Sequence, residues 1–454
     1  MRAAATNLAL MTTALALAPQ LARAQAAAPD TYDSNLFGGM AGLRPFLGDH
    51  GVTFALTDTS ELLGNPTGGL RQELIFEGAA LGTLTLDGGK AGLWPGLTLQ
   101  VSAWAIYGRG LSANALDDID TASNVEANRA LRLLDLWAEQ SFAGGKASVR
   151  IGQMGVDEEF AVDQYAAPFI NAEDGFPVLP SYDLPGGGPA YPLATPGVRL
   201  KYQPSDSTTI LVALFNGNPA PGAPLFGPND SEAQTLAGSG TTLRIDGGAL
   251  WFSELQYTAS PFGQPGTYKF GAWYNTNLFD DPRLDNTGRS LASPTSTLIP
   301  LTRRGDWSLY ALADQQVFKP AHGDGSVGVF LRLMGAPGDR NLIDYSVNGG
   351  VNWQGIVPGR SNDTLAVGFE WSRFGDEASK LDGDVAYFTG RPYPIQRWES
   401  FLELTYQAQV LKWLQVQPDM QYVLRPGGGV PQLNNPSRPV ADALVLGLRG
   451  VVTF

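Results

Sequence analysis

The stretch RLLDLWAEQ, Arg132 to Gln140, places Asp135, Trp137 and Glu139 at two-residue spacing. In an extended strand these three share one face, about 7 Å between successive members. Two carboxylates flanking an indole can hold a hexose: carboxylates take hydrogen bonds from hydroxyls, and the indole face stacks on the apolar side of a ring. The chemistry is recognition, since no activated nucleophile or paired acid and base accompanies them. Similar polar faces recur along the chain. LRQELIFEG offers Arg71, Glu73 and Glu77; LTLQVSAWAIY offers Gln100 and Trp104; VRIGQ offers Arg150. Farther on come Lys269, Trp273, Arg332, Glu370, Glu399, Glu403, Gln415, Gln417, Asp419, Gln421 and Arg449. Mixed charges with many amides suit a neutral, hydroxyl-rich solute, whereas one sign of charge would suit a charged one. The plainer alternative is that these groups neutralise one another along a wet wall.

The elements that carry them are strands. WLQVQPDMQYVL alternates Leu414, Val416, Pro418, Met420 and Tyr422 with Gln415, Gln417, Asp419 and Gln421. FLELTYQAQV, LAVGFEW and the terminal VLGLRGVVTF alternate in the same way, the last with Arg449 on its polar face. Period two over ten residues is a strand signal. About sixteen such runs begin near Val52, Leu70, Gly96, Leu131, Lys146, Gly197, Thr208, Gly248, Gly266, Asp306, Ser326, Asn341, Asp363, Trp398, Lys412 and Ala443. Most have the ~9–11 residues that a tilted strand needs to cross a bilayer. Short turns alternate with long Gly/Pro/Asp-rich segments at 108–130, 155–195, 217–246, 280–305, 375–396 and 425–441. The expected fold is all-β: a transmembrane antiparallel barrel of about 16 strands with one long constricting loop, 155–195, and both ends on the periplasmic side. The last strand then pairs with the first and abolishes the sheet edges. Arg132 falls on the apolar parity, and a bulge is needed to turn it inward. Asp157-Glu158-Glu159 in the long loop reads as a solvated helix start rather than an acid/base pair or a cation site.

Composition sets the compartment. Residues 1–24 read as a secretory signal peptide: Met1-Arg2, an apolar stretch from Leu8 to Ala18, then Ala22-Arg23-Ala24. Residues 25–50 then form a periplasmic N-terminal segment and 51–454 the barrel. The chain has no Cys and two His, His50 and His322, which excludes thiolate chemistry and disfavours a metal site; no cofactor is expected. Net charge is −14, which argues against nucleic acid.

Read in order, LRLLDLWAEQSF, VRIGQMGVDEEF, FINAEDGFP and LPGGGPAYPLATPGVRL resemble the carbohydrate-selective porins of the OprB type, and GLRPFLGDHGVTFALTDTSELLGNPTGG is similar to that family's opening segment. The resemblance implies a sixteen-stranded outer-membrane barrel of a Gram-negative bacterium. It implies passive diffusion of glucose and related monosaccharides through an eyelet of Arg, Glu and Trp side chains. By motif position the eyelet residues are Arg71, Asp135, Trp137 and Glu139, with Glu73, Trp104 and Arg150. The family often carries Glu where Asp135 stands. The expected partners are small neutral sugars, outer-membrane lipid, the barrel assembly machinery and, as a homotrimer, two further copies. A general or ion-selective porin and a secreted β-rich enzyme acting on glycans are the alternatives.

Overall fold

The computed structural model describes residues 32–220, 231–320 and 325–454. The signal peptide expected at 1–24 lies outside them. Among the described residues, sixteen of eighteen strands form one closed barrel in which every neighbouring pair is antiparallel. The first half comprises β1 (Val52–Gly69), β2 (Leu74–Asp87), β3 (Leu97–Gly108), β4 (Ala130–Phe142), β5 (Ala147–Met154), β6 (Thr195–Ser205), β7 (Thr208–Asn216) and β8 (Ala249–Ala259). The second comprises β9 (Gly266–Asp285), β10 (Pro300–Phe318), β11 (Ser326–Gly335), β12 (Ile343–Gln354), β13 (Thr364–Phe374), β14 (Trp398–Leu411), β15 (Leu414–Leu424) and β18 (Ala441–Thr453). A two-stranded ribbon, β16 (Pro431–Gln432) with β17 (Asn435–Pro439), sits in the last long loop. β18 closes on β1, and Glu61 stands opposite Arg449 across that seam.

Alternation decides the wall. On β18, Leu446 and Leu448 are exposed outward while Arg449 and Val445 are buried inside. On β14, Leu402 and Leu404 point out and Glu403 and Thr405 point in. Aromatic side chains form two outward rows. Phe54, Phe142, Tyr202, Tyr257, Phe318 and Trp353 ring the end with short turns, the periplasmic end of such a barrel. Phe76, Trp251, Tyr274, Trp307, Tyr345 and Tyr422 ring the loop end, where Trp251, Tyr274 and Trp307 are direct cross-strand neighbours. Tyr345 and Trp353 lie eight residues apart on β12. At ~3.3 Å rise and ~40° tilt they bracket ~20 Å, near the ~25 Å apolar band of an outer-membrane barrel.

Three local departures from simple alternation have local causes. One residue between Val101 and Ala103 on β3, Ser102, faces two between Leu136 and Leu133 on β4, Asp135 and Leu134. This bulge turns Arg132 inward, where its guanidinium donates to the carbonyls of Pro192 at 3.2 Å and Gln234 at 2.6 Å. β2 begins at Leu74 rather than Leu70, because Gly68 and Gly69 take φ of 77° and 69° and end β1 in a turn. Both ends of the 280–305 segment are strand: β9 runs on to Asp285 and β10 starts at Pro300, with a register shift at Gly305, φ 73°. The hairpin stands beyond the aromatic row at Tyr274 and Trp307.

The inward polar residues are mostly dry, against the expectation of a wet wall. The 155–194 loop folds into the barrel, and so does 109–129. Wall carboxylates catch their main-chain amides. Glu254 accepts from Ala161 N at 2.8 Å, and Asp314 accepts from Gln164 N and Tyr165 N at 2.8 and 3.0 Å. Glu403 accepts from Ile170 N and Asn171 N at 2.7 and 3.1 Å; Glu399 accepts from Ile119 N and Asp120 N at 2.9 and 2.8 Å. Arg332, fully buried, donates to Ala161 O at 2.8 Å and faces Asp163 and Glu173 at 3.4 and 3.2 Å. Lys269 donates to Val162 O and Gln417 to Pro168 O. Charge-assisted bonds to amides offset the desolvation of these carboxylates.

Candidate functional site

β4, β5 and β6 bring one charged network to the barrel interior. Glu139 stands opposite Arg150, and Arg150 opposite Arg199. Arg150 Nε donates to Glu139 Oε2 at 2.9 Å, Nη1 donates to Glu158 Oε2 at 2.9 Å, and Nη2 lies 3.7 Å from Glu159 Oε1. Arg199 Nη2 donates to Glu139 Oε2 and to Glu159 Oε1, both at 2.9 Å, and Nη1 donates to Ser148 Oγ at 2.7 Å. Two guanidinium groups thus share three carboxylates, two of them from the infolded loop. Arg199 is enclosed, whereas Arg150 and the three glutamates keep 12–19% of their side-chain surface open. The run Asp157-Glu158-Glu159 is therefore largely enclosed rather than a solvated helix start. It follows shortly after the end of β5; Glu158 and Glu159 reach the two arginines, while Asp157 accepts from Tyr191 N at 2.9 Å.

The other expected site residues divide into two groups. Asp135, four residues along β4 from Glu139, accepts from Ser102 Oγ at 2.6 Å and Gln100 Nε2 at 3.1 Å. Trp137 is only 7% exposed, and the Arg150 guanidinium covers its ring at 4.0 Å from the centroid. That face is occupied by protein, so Trp137 serves as a pedestal for Arg150 rather than as an open platform. Trp104, also buried, meets Tyr191 edge-on at 5.1 Å and backs the loop. Arg71 and Glu73 are not with the others. They sit in the β1–β2 turn at the loop end, paired with each other at 3.1 Å, and Glu73 also pairs with Arg109. The alternation that placed them inside was carried across a turn.

The two infolded loops enclose two neighbouring spaces that share part of their lining. A vestibule of about 570 Å³ is lined by Arg109, Asp117, Glu126, Arg129, Tyr182 and Gln396, among others. A narrower space of about 80 Å³ shares Tyr182, Glu126, Ile119 and Thr121 with it and adds Asn124, Asp157 and Tyr191. Tyr191 is pinned by its hydroxyl, which donates to Val125 O at 2.8 Å. Enclosure pushes the Glu126 carboxyl up to about 7, despite bonds from Ser112 N and Ala113 N. It pushes Asp157 up to about 6, against the bond from Tyr191 N and with the Asp135 charge nearby.

Sequence reading missed Arg199, Glu158, Glu159, Tyr182 and Tyr191. Arg199 carried a usable signal, because it shares inward parity with Thr195 and Gly197 on β6. The loop tyrosines carried none. Among the described residues no cluster of His, Cys, Asp and Glu has the arrangement of a metal site.

Comparison with known proteins gives one consistent result. Porin B of Pseudomonas aeruginosa is 25% identical over 441 residues, covering 92% of this chain and 91% of its own. The high pH structure of Pseudomonas putida OprB superposes with a TM-score of 0.81 at 24% identity, covering 93% of this chain and 99% of its own. The low pH structure of the same protein gives 0.56 at 17% identity, covering 93% and 98%. The family model described as "Carbohydrate-selective porin, OprB family" matches residues 82–454. The chain belongs to the carbohydrate-selective porin family OprB, and with its closed barrel to the outer membrane of a Gram-negative bacterium.

Proposed function

We propose that this porin passes monosaccharides such as glucose downhill, from the vestibule through the Tyr182 and Tyr191 neck and past the network of Glu139, Arg150, Arg199, Glu158 and Glu159. The observation that carries the reading is that network, shared donors and acceptors with opposite charges held together at the foot of a loop-narrowed lumen. A hexose offers hydroxyls that exchange with both signs in turn, while a net charge on the solute meets repulsive as well as attractive partners. Tyr182 and Tyr191 offer ring faces above it, the role first expected of Trp137. Asp135 supplies a further acceptor. Arg71 and Glu73 act at the outer rim, and Trp104 acts through Tyr191.

Liposome swelling with glucose, a disaccharide and an amino acid of matched osmolarity tests this. Glucose should enter fastest, and Arg150→Gln should narrow its lead over the amino acid. Equal rates for glucose and the amino acid in the unaltered protein would favour the general porin. On the same reading the apolar stripe ending at Phe454 is the insertion signal for the barrel assembly machinery, and the barrels associate in threes. Loss of folded protein on deleting Phe454, and cross-linked ladders that stop at the trimer, are the corresponding outcomes.

A further inference from the structure

We infer that residues 33–50 form an interfacial foot whose apolar face lies in the inner, periplasmic leaflet of the outer membrane. The segment comprises two short turns and the helix α1 (Leu43–Asp49) before β1. It is fastened to the outer side of the closing seam. Leu36 N donates to Thr453 O at 2.8 Å. Arg44, buried, donates to Asn35 Oδ1 at 3.2 Å, to Phe54 O at 3.4 Å and to the main-chain oxygen of Phe454. The Phe37 ring lies 5.6 Å from the Phe454 ring. Phe54 and Phe454 both have outward parity, as do Leu62 and Leu448 farther up the same two strands. The foot therefore stands at the level of the lower aromatic row, on the lipid side of the wall.

Its free face is apolar. Phe37, Met40, Leu43 and Phe46 recur every three residues, with Leu36 beside the first, and each of the five leaves 36–60% of its surface uncovered. Asp33 and Lys412 pair on its aqueous side. An amphipathic segment of this kind settles ~5–10 Å into the headgroup boundary. Lipid is the occupant the geometry favours, because the apolar stripe continues the lipid-facing wall without a break. A second copy of the chain is disfavoured: five side chains are few beside the 20–30 residues a side of a stable interface.

The chain contains no Cys, so single cysteines can carry a nitroxide without background. The full protein would be labelled at Leu43→Cys and Phe46→Cys, with Leu62→Cys as a wall control and Asp49→Cys as an aqueous control, and reconstituted in liposomes. Met40→Cys replaces either foot variant if it fails to give heat-modifiable barrel. Power saturation should show several-fold stronger relaxation by oxygen than by a water-soluble nickel chelate at 43 and 46, as at 62, with the order reversed at 49. Chelate access at 43 and 46 equal to that at 49 overturns the inference. Shielding from both reagents, with dipolar broadening between labels, overturns it in favour of a second copy.

Discussion

The Arg150 guanidinium lies over the Trp137 ring, 4.0 Å from its carbon to the ring centroid, and donates to Glu139 and Glu158. The indole thus fixes the direction of the charge that a passing solute meets. A cation over an indole contributes about 0.5–2 kcal/mol, the upper end when water is excluded. Trp137→Ala should free Arg150, raise small-ion conductance and weaken the block of that current by glucose. Trp137→Phe, which keeps a ring face, should retain most of the block. Single-channel recordings with rising glucose decide it; equal block in all three proteins removes Trp137 from any role in selection.

Arg199 bridges Glu139 and Glu159 with its side chain only 2% exposed. Arg199→Gln leaves both carboxylates facing one another near Arg150, and breaking such a buried pair costs about 3–5 kcal/mol. The variant should unfold at lower denaturant and turn the channel toward cations. Denaturation followed by gel mobility and reversal potentials in a salt gradient read the two effects. A shift toward anions would contradict the proposed arrangement.

Glu126 and Asp157 sit in the neck with carboxyls raised to about 7 and about 6. Both release their protons between about pH 5 and 8, adding negative charge to the passage. The cation-to-anion permeability ratio should rise over that window, and Glu126→Gln should remove the upper part of the rise. The folded neck holds these protons more tightly than the unfolded chain does. That contribution to stability is complete below about pH 4 and is lost as pH rises through 6 and 7. A pH-independent reversal potential would place both groups off the conducting path.

Leu448 faces outward near the middle of β18, and Gln415 faces inward on β15. Leu448→Arg should cost about 2–4 kcal/mol, the price of a cation at mid-bilayer, and Gln415→Arg far less. Equilibrium unfolding in lipid vesicles measures both. Equal costs would mean that the two faces are assigned to the wrong sides.

Much of the architecture was legible because strand parity is local. The starts expected at Val52, Thr208, Gly266, Ser326 and Trp398 coincide with the observed ones, and the closing pair of first and last strands follows from the need to satisfy edges. Parity fails where glycines bend the chain, which is why β2 and β10 were misplaced and why Arg71 and Glu73 were put in the lumen. It also says which way a side chain points and nothing of what it meets. Glu403 and Ile170 are 233 residues apart, so no window along the sequence could reveal that this inward glutamate holds a loop rather than water. Arg199 was missed for the same reason: its partners are Glu139, on another strand, and Glu159, on the infolded loop.

The carboxylates that grip loop amides also constrain how such a channel can diversify. Glu254, Asp314, Glu399 and Glu403 keep their loop-amide donors only while the 109–129 and 155–194 segments stay seated. Shortening either loop to widen the bore would strand anions in the interior, each worth several kcal/mol in the wrong direction. Altering the wall alone would orphan the amides. Bore size is therefore inherited as a joint character of wall and loop, and a lineage that changes its solute can do so cheaply at Tyr182, Tyr191 or Arg150 but must cross a valley of paired mutations to change its calibre.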